Sequence, residues 1–173
     1  MKHLSIIRHA QAADSSGYAR DFDRELTRRG KEDAARVGEA LHELTPPIDW
    51  FCSSPAMRAQ TSTEIIVAKL ALDTAPTWQP EIYAAHASTL LTILARSPQQ
   101  AEHVALVGHN PGLEDLATGL CATPSGRVGL SLSPAGVAHL MLEIDQWDQL
   151  RWGAANLKFL LHPKELRGRD QAT

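Results

Sequence analysis

The stretch Leu4-Ser5-Ile6-Ile7-Arg8-His9-Ala10 decides the fold. Its first four residues are rich in β-branched side chains and carry no charge, which predicts a strand buried in the middle of a sheet. Ligands of α/β proteins bind at the carboxyl ends of parallel strands, where Arg8 and His9 stand. These two residues are therefore a candidate site, although the same pair also begins ordinary solvated loops.

A second apolar run has the same character and ends in the same way. His103 to Gly108 predicts another central strand, and His109 follows it directly. Asn110 is predicted to cap the next helix, with Pro111 at its first helical position. We therefore expect His109 to lie on the same edge of the sheet as His9.

A third segment supplies a second arginine. Ser54 fits the N-cap and Pro55 the first position of a helix that follows a short strand at 48–52. Arg58 lies one turn into this helix, where the positive helix N-terminus favours an anion. Taken alone, Arg58 is also compatible with an ordinary solvated arginine.

Length and composition limit the classes of protein that this sequence can be. The 173 residues, of which 43% are hydrophobic, suit one domain spanning residues 1–173 with a polar, frayed tail from about Arg167. A net charge of -3 argues against nucleic acid or an anionic membrane as partner. The absence of a signal-peptide pattern and the isolated Cys52 and Cys121 favour a cytoplasmic protein without disulfides.

The remaining pattern predicts the fold class. Helices begin near Thr27, Ser54, Ala87 and Asn110, and they alternate with the predicted strands. Residues 128–133 and 137–144 predict a hairpin, residues 157–161 a further strand, and Pro163 a terminal turn or helix. This order indicates an α/β fold with three layers, αβα, around a mixed, mostly parallel central sheet.

Together the strand ends predict a compact cationic pocket formed by Arg8, His9, Arg58 and His109. The planar guanidinium fork forms bidentate hydrogen bonds to phosphate oxygens. An imidazole in line with phosphorus can attack it and form a phosphohistidine that water later hydrolyses. The pattern therefore favours phosphoryl transfer.

The same segments resemble a known family. Ile7-Arg8-His9-Ala10, residues 53–61 (SSPAMRAQT) and residues 107–112 (VGHNPG) are similar to the histidine phosphatase superfamily, which has the phosphoglycerate mutase-like fold. The segments 23–30 (DRELTRRG) and 157–166 (LKFLLHPKEL) resemble the SixA-type phosphohistidine phosphatases within it. The similarity runs from the first strand to about Leu166.

The resemblance implies a role for each matching residue. His9 is then the nucleophile, Arg8 and Arg58 clamp the phosphate, and His109 stabilises charge on the transferring group without metal or cofactor. His9 must be neutral to attack, whereas His109 is more useful when protonated, so we expect a pH–rate profile with two limbs.

One departure from the family bears on the substrate. Ester-cleaving branches carry a glutamate general acid in the segment that matches Ile82-Tyr83-Ala84, and Ala84 stands in its place. Asp14, Glu81 and His86 remain possible proton donors, although Glu81 is expected to face away. An imidazole leaving group needs a proton far less than an alkoxide does, so the missing acid favours a phosphohistidine-bearing protein as substrate.

Other interpretations stay open at this point. A phosphomonoesterase for a small phosphate ester and a non-catalytic anion-binding module fit the same residues. A metal site on His9 and His109 is disfavoured, because two neighbouring arginines repel a cation. The role of Arg24 and the oligomeric state are not predicted, and the remaining histidines (His3, His42, His86, His103, His139 and His162) are interpreted as structural or solvated.

Overall fold

The central sheet has six strands. In the computed structural model, which describes residues 1–72, 75–123, 125–126 and 129–167, they are β1 (Lys2–Arg8), β2 (Trp50–Ser53), β3 (Thr77–Trp78), β4 (His103–Gly108), β5 (Val137–Leu142) and β6 (Ala155–Leu161). Their order across the sheet is β3-β2-β4-β1-β5-β6. Neighbours from β3 to β1 are parallel, whereas β5 runs antiparallel to both β1 and β6.

Helices cover both faces of the sheet. They are α1 (Arg28–His42), α2 (Met57–Leu70), α3 (Ala87–Ala95), α4 (Gly112–Leu120) and the short α5 (Pro163–Leu166). Side chains of β1 alternate between two cores: Leu4 and Ile6 pack with α3 and α4, and Ile7 packs with α1 and α2. The predicted three-layer αβα fold with a mixed, mostly parallel sheet is confirmed, because central strands are apolar on both faces.

Two predicted helix starts are wrong by one or two residues. Ala56, not Ser54, precedes α2, and Pro111, not Asn110, precedes α4. Both expected capping side chains bond distant groups. Ser54 Oγ accepts the Ala56 N–H at 3.3 Å but also lies 2.9 Å from His109 Nε2, and Asn110 Nδ2 donates to the Leu132 carbonyl at 3.0 Å. Thr27 does cap α1, since its hydroxyl accepts the Gly30 N–H at 2.9 Å.

The predicted hairpin at 128–133 and 137–144 is wrong. Val128 lies outside the described residues, and residues 129–133 form no strand. Instead β5 pairs with β1 on one side and β6 on the other. The run 129–133 is held as a loop because side chains satisfy its backbone: Leu130 N–H donates to Thr118 Oγ1, and Leu132 N–H to Glu114 Oε1.

The carboxyl-terminal segment is attached to α1. Arg167, which the sequence assigns to the polar tail, donates two hydrogen bonds to the Asp33 carboxylate. Asp33 is 3% exposed, and Arg167 together with Arg36, whose Nη1 lies 3.6 Å from Asp33 Oδ1, compensates this buried charge. The rest of the predicted tail, residues 168–173, lies outside the described residues.

Candidate active site

Three parallel strands end side by side at one edge of the sheet. Registers Ile7↔Val107 and Ser53↔Val107 align the ends of β1 and β2 with that of β4 between them. The main chain beyond the strands stays paired, since His9 N–H donates to the Gly108 carbonyl and Ser54 N–H to the Val107 carbonyl, both at 3.1 Å. This register brings the side chains that follow the three strands to one place.

His9 is held in one tautomer. Its Nδ1 lies 2.8 Å from the Ala10 carbonyl oxygen, which only accepts, so Nδ1 carries the proton. Its Nε2 lies 3.2 Å from Arg58 Nε, which only donates. The lone pair of His9 is therefore on Nε2, directed toward Arg58.

His109 lies beside His9, with ring centroids 5.1 Å apart. Ser54 Oγ lies 2.9 Å from its Nε2, and the Tyr83 ring meets it edge-on at 5.4 Å. Its other nitrogen, Nδ1, is buried and has no hydrogen-bond partner among the described residues. That nitrogen is available to a ligand.

The two arginines approach from different sides. Arg58, the second residue of α2 and 6% exposed, donates from Nη1 to the Asp21 carbonyl at 2.6 Å and from Nη2 to the Asp21 carboxylate at 2.8 Å. Arg8 donates from Nη1 to the Leu132 carbonyl at 2.9 Å. The Nε of Arg8 is buried and lacks a partner within the described ranges. The structure thus brings His9, His109 and Arg58 into contact and places Arg8 next to them.

The electrostatics keep both imidazoles neutral in the unliganded protein. Burial, reinforced by the charges of Arg58 and Arg8, lowers the pKa of His9 to about 4. Burial and the neighbouring His9 and Arg58 lower the pKa of His109 to about 3. Both imidazoles are therefore uncharged at neutral pH.

Asp21 is the site residue that the sequence did not reveal. Its carboxylate accepts from Arg58, from Arg24 Nη1 at 2.9 Å and from the Tyr83 hydroxyl at 2.9 Å. These hydrogen bonds, that from Arg24 first, lower its pKa to about 2. Asp21 lies two residues before the 23–30 segment that carries Arg24. No local pattern indicates its contact with Arg58, which is 37 residues away.

Arg24 holds the loop around the site. Its Nε donates to the Ala13 carbonyl at 2.9 Å, while Nη1 bonds Asp21. Its side chain therefore joins two parts of the 11–26 loop, Ala13 and the short helical turn at residues 21–23. Its charge also contributes to lowering the pKa of His9.

Among the described residues, none of the three candidate proton donors is hydrogen-bonded to His9 or His109. Glu81 lines a different cavity together with Trp50 and Cys52. Asp14 is exposed, and hydrogen bonds from Ser16 hold its pKa below the usual range, so it stays ionised. His86 is exposed and precedes α3 without capping it. At the position of the family's glutamate, Ala84 has a positive φ of 53°.

The described part of the chain contains neither a metal-binding cluster nor a membrane-spanning helix. Within it, no group of three or more His, Cys, Asp or Glu side chains is arranged to hold a metal ion. Among the same residues, no helix is both long and apolar enough to cross a membrane.

Comparisons with known proteins point to one family. A model of the histidine phosphatase superfamily (branch 1) matches residues 4–79. An uncharacterised protein of Picosynechococcus sp. is 30% identical over 143 residues, which are 79% of this chain and 83% of the relative.

Solved structures give the same result. A protein of Nakamurella multipartitia, provisionally named phosphohistidine phosphatase SixA, is similar with a TM-score of 0.81 and 26% identity, over 94% of this chain and 96% of that one. The protein histidine phosphatase SixA complexed with tungstate shares the fold with a TM-score of 0.80 and 22% identity, over 95% and 99% of the two chains.

Proposed function

The chain belongs to the histidine phosphatase superfamily and is a hydrolytic phosphatase of SixA type, and we propose that His9 carries the phosphoryl group as a covalent intermediate. The observation that carries this proposal is the fixed tautomer of His9. A nucleophile needs an available lone pair, and only Nε2 has one. This nitrogen faces Arg58 Nε, and the His109 ring lies beside the His9 ring.

The surrounding groups suit a phosphoryl ligand. Arg58 Nε–H binds His9 Nε2 in the free protein, and turning this guanidinium toward phosphoryl oxygens releases the lone pair for attack. Buried atoms without partners in the described part of the chain include Arg8 Nε and His109 Nδ1, both able to donate to an oxyanion. A tetrahedral anion satisfies them. Consistent with this, the SixA structure named above is a complex with tungstate, a tetrahedral oxyanion.

The proposed reaction has two displacements. His9 Nε2 attacks phosphorus as the bond from phosphorus to the leaving atom breaks, and the bonding pair departs with the leaving group. Nδ1–H of His9 stays bonded to the Ala10 carbonyl, which supports the positive ring of the phosphoenzyme. Water then attacks phosphorus, and the P–N bond breaks with its electron pair returning to His9 Nε2. Phosphate is released, one proton of the water passes to solvent, and neutral His9 is regenerated.

We propose phosphohistidine on a protein as the preferred substrate. Its leaving imidazole departs neutral when its second nitrogen already carries a proton, so no donor is required. The carboxylates Asp21 and Asp14 carry no proton to donate at neutral pH, because the pKa of Asp21 is lowered to about 2 and that of Asp14 is also lowered. An alkoxide leaving group without an acid is expected to react roughly 10²–10⁴-fold more slowly.

Rapid quench with a phosphohistidine peptide tests the proposal. Acid-labile phosphate on the wild-type enzyme, absent from His9→Ala, is the expected result. His42→Ala is the matched control, since His42 is an exposed histidine in the last turn of α1. Phosphate release without any phosphoenzyme would overturn the covalent mechanism. Faster turnover of an alkyl phosphate ester than of the peptide would instead identify an esterase.

A further inference from the structure

A cavity of about 490 Å³ adjoins the phosphoryl site, which is a volume typical of ligand pockets. Arg8 forms part of its wall, and the rest comes from the loop 131–134, the start of α1 and α5. We call it the rim cavity; it is lined by Arg8, Gln11, Arg29, Asp33, Glu114, Ser131, Leu132, Ser133, Pro134, His162, Pro163, Lys164 and Arg167.

The rim cavity is positively charged in a chain whose net charge is -3. Its lining has four arginine or lysine side chains and two carboxylates. Both carboxylates already have partners: Asp33 is bound by Arg167, and Glu114 accepts from Leu132 N–H at 2.7 Å. Arg29 and Lys164 are exposed and form no ion pair within the described part of the chain. These two cations are therefore free to bind an anion.

The cavity and the phosphoryl site share one wall. Arg8 lines the cavity, and its charge contributes to lowering the pKa of His9. Arg8 Nη1 also donates to the carbonyl of Leu132, which lines the cavity too. Asn110, next to His109, bonds the same Leu132 carbonyl at 3.0 Å. A molecule whose phosphoryl group lies at His9 can thus extend past Arg8 into this space.

We infer that the rim cavity binds a second anionic group, a carboxylate or phosphate, carried by the same substrate whose phosphoryl group reacts. This inference rests on the proposed function and adds a specificity determinant to it. We assign Arg29 and Lys164 to this subsite, because both line the cavity and neither is paired with a carboxylate in the described part of the chain. Neither residue belongs to the catalytic cluster.

The test compares pairs of probes that differ only in charge. One pair is a phosphohistidine peptide with flanking glutamates and the same peptide with glutamines. The other is O-phosphoserine and O-phosphoethanolamine, with and without a carboxylate, used as inhibitors of phosphoenzyme formation. The variant is the double substitution Arg29→Ala/Lys164→Ala. Its control is Arg28→Ala/Lys31→Ala, which removes the same charge from α1 outside the cavity.

We expect wild type to have an about tenfold lower KM for the acidic peptide than for its amide form. In Arg29→Ala/Lys164→Ala this ratio falls toward one, while kcat and turnover of an aryl phosphate stay unchanged; the control keeps the ratio. A charge-dependent difference in the small-molecule pair would assign the subsite to a metabolite carboxylate instead of an acidic protein surface.

The outcomes separate the two proposals. Phosphoenzyme formation with no charge preference, or with a preference that survives Arg29→Ala/Lys164→Ala, overturns the inference alone. Failure to form phosphoenzyme from any probe overturns the proposed function and the inference with it. A preference that both double variants lose equally shows only a long-range charge effect and also overturns the subsite.

Discussion

His9 is neutral because of where it lies. Burial is the largest cause of its lowered pKa, and the cations Arg58, Arg8 and Arg24 add to it, while the bond to the Ala10 carbonyl opposes it. Each of the first two effects disfavours the imidazolium. Nε2 of His9 therefore stays unprotonated at pH values well below the usual pKa of a histidine.

This predicts the titration of His9 directly. A ¹⁵N NMR titration should give a midpoint near pH 4, and Arg58→Gln should move it upward because a neighbouring cation is lost. A midpoint for His9 near 6.5 would contradict the burial argument.

The same pKa values sharpen the expected pH–rate profile. In kcat/KM, which reports the free enzyme, neither His9 nor His109 titrates between pH 5 and 9. A second limb from His109 is expected only in kcat, because bound phosphate raises the pKa of His109 in the complex. Initial rates measured from pH 5 to 9, at saturating and at low substrate concentration, give kcat and kcat/KM separately and distinguish the two profiles.

We predict that Asp21 competes with the substrate for Arg58. Its carboxylate occupies Nη2 of Arg58, and it is half exposed at the site. A phosphate dianion needs the same donors and is repelled by this charge. Asp21→Asn keeps the shape and the acceptor for Tyr83, so we expect about threefold to tenfold tighter binding of inorganic phosphate by calorimetry.

Asp23→Asn is the matched control for Asp21→Asn. Asp23 pairs with exposed Arg20 in the same loop and does not contact Arg58. Its substitution should leave phosphate affinity unchanged. Weaker phosphate binding by Asp21→Asn would show that Asp21 mainly orients Arg58.

At the scale of elements, close backbone contacts position the strand-end loops. A Cβ placed on Gly112, the first residue of α4, meets the Ala85 carbonyl oxygen at 2.1 Å. The helix that follows His109 therefore presses directly on the segment that carries Tyr83. Only a residue without a side chain permits this approach.

Gly112→Ala should therefore destabilise the protein and disturb the site together. We expect a loss of about 1–3 kcal/mol in the free energy of unfolding by urea, because backbone must move. Gly17→Ala is the control, as a Cβ there meets nothing within 4 Å. Equal stability of the two variants would show that the α4 contact relaxes freely.

Across the whole molecule, the sheet assembles three histidines that are far apart in the chain. Strand registers pair His3 with His103 and Ser5 with His139. His103 Nδ1 lies 2.8 Å from the Pro46 carbonyl and so donates to it, which leaves its Nε2 to accept from Ser5 Oγ at 2.9 Å. Ser5 Oγ in turn accepts from His139 Nδ1 at 3.1 Å. Every member of this chain is neutral, and an added proton places two donors face to face.

The cluster makes stability fall in acid. Burial lowers the pKa of His103 and of His139 to about 4 from the usual 6.5, so the unfolded state binds more protons in that window. The free energy of unfolding should drop as pH is lowered from 6.5 toward 4, by on the order of several kcal/mol. Urea titrations at intervals of pH measure this.

His103→Gln should flatten this pH dependence whatever its effect on stability at pH 7. His42→Gln is the control and should leave the slope unchanged, since His42 is exposed. A slope unaltered by His103→Gln would place the acid sensitivity elsewhere, in His9 and His109.

Particular residues show how far prediction from sequence reached. The fold and the neighbourhood of His9, His109 and Arg58 were predictable because strand ends and helix starts are local patterns. The helix starts themselves were wrong by one or two residues, and both Ser54 and Asn110 make hydrogen bonds to groups distant in the chain. The catalytic roles remain predictions until the experiments above are done.

The sequence by itself determined that two apolar strands are followed directly by histidines, because a run of apolar residues is a local pattern. Only the tertiary structure decided the bond from Arg58 to His9, the contact of Asp21 with Arg58, the histidine cluster and the rim cavity. These depend on strand register and on how loops close over the sheet. Such contacts join residues tens of positions apart, and no local pattern specifies them.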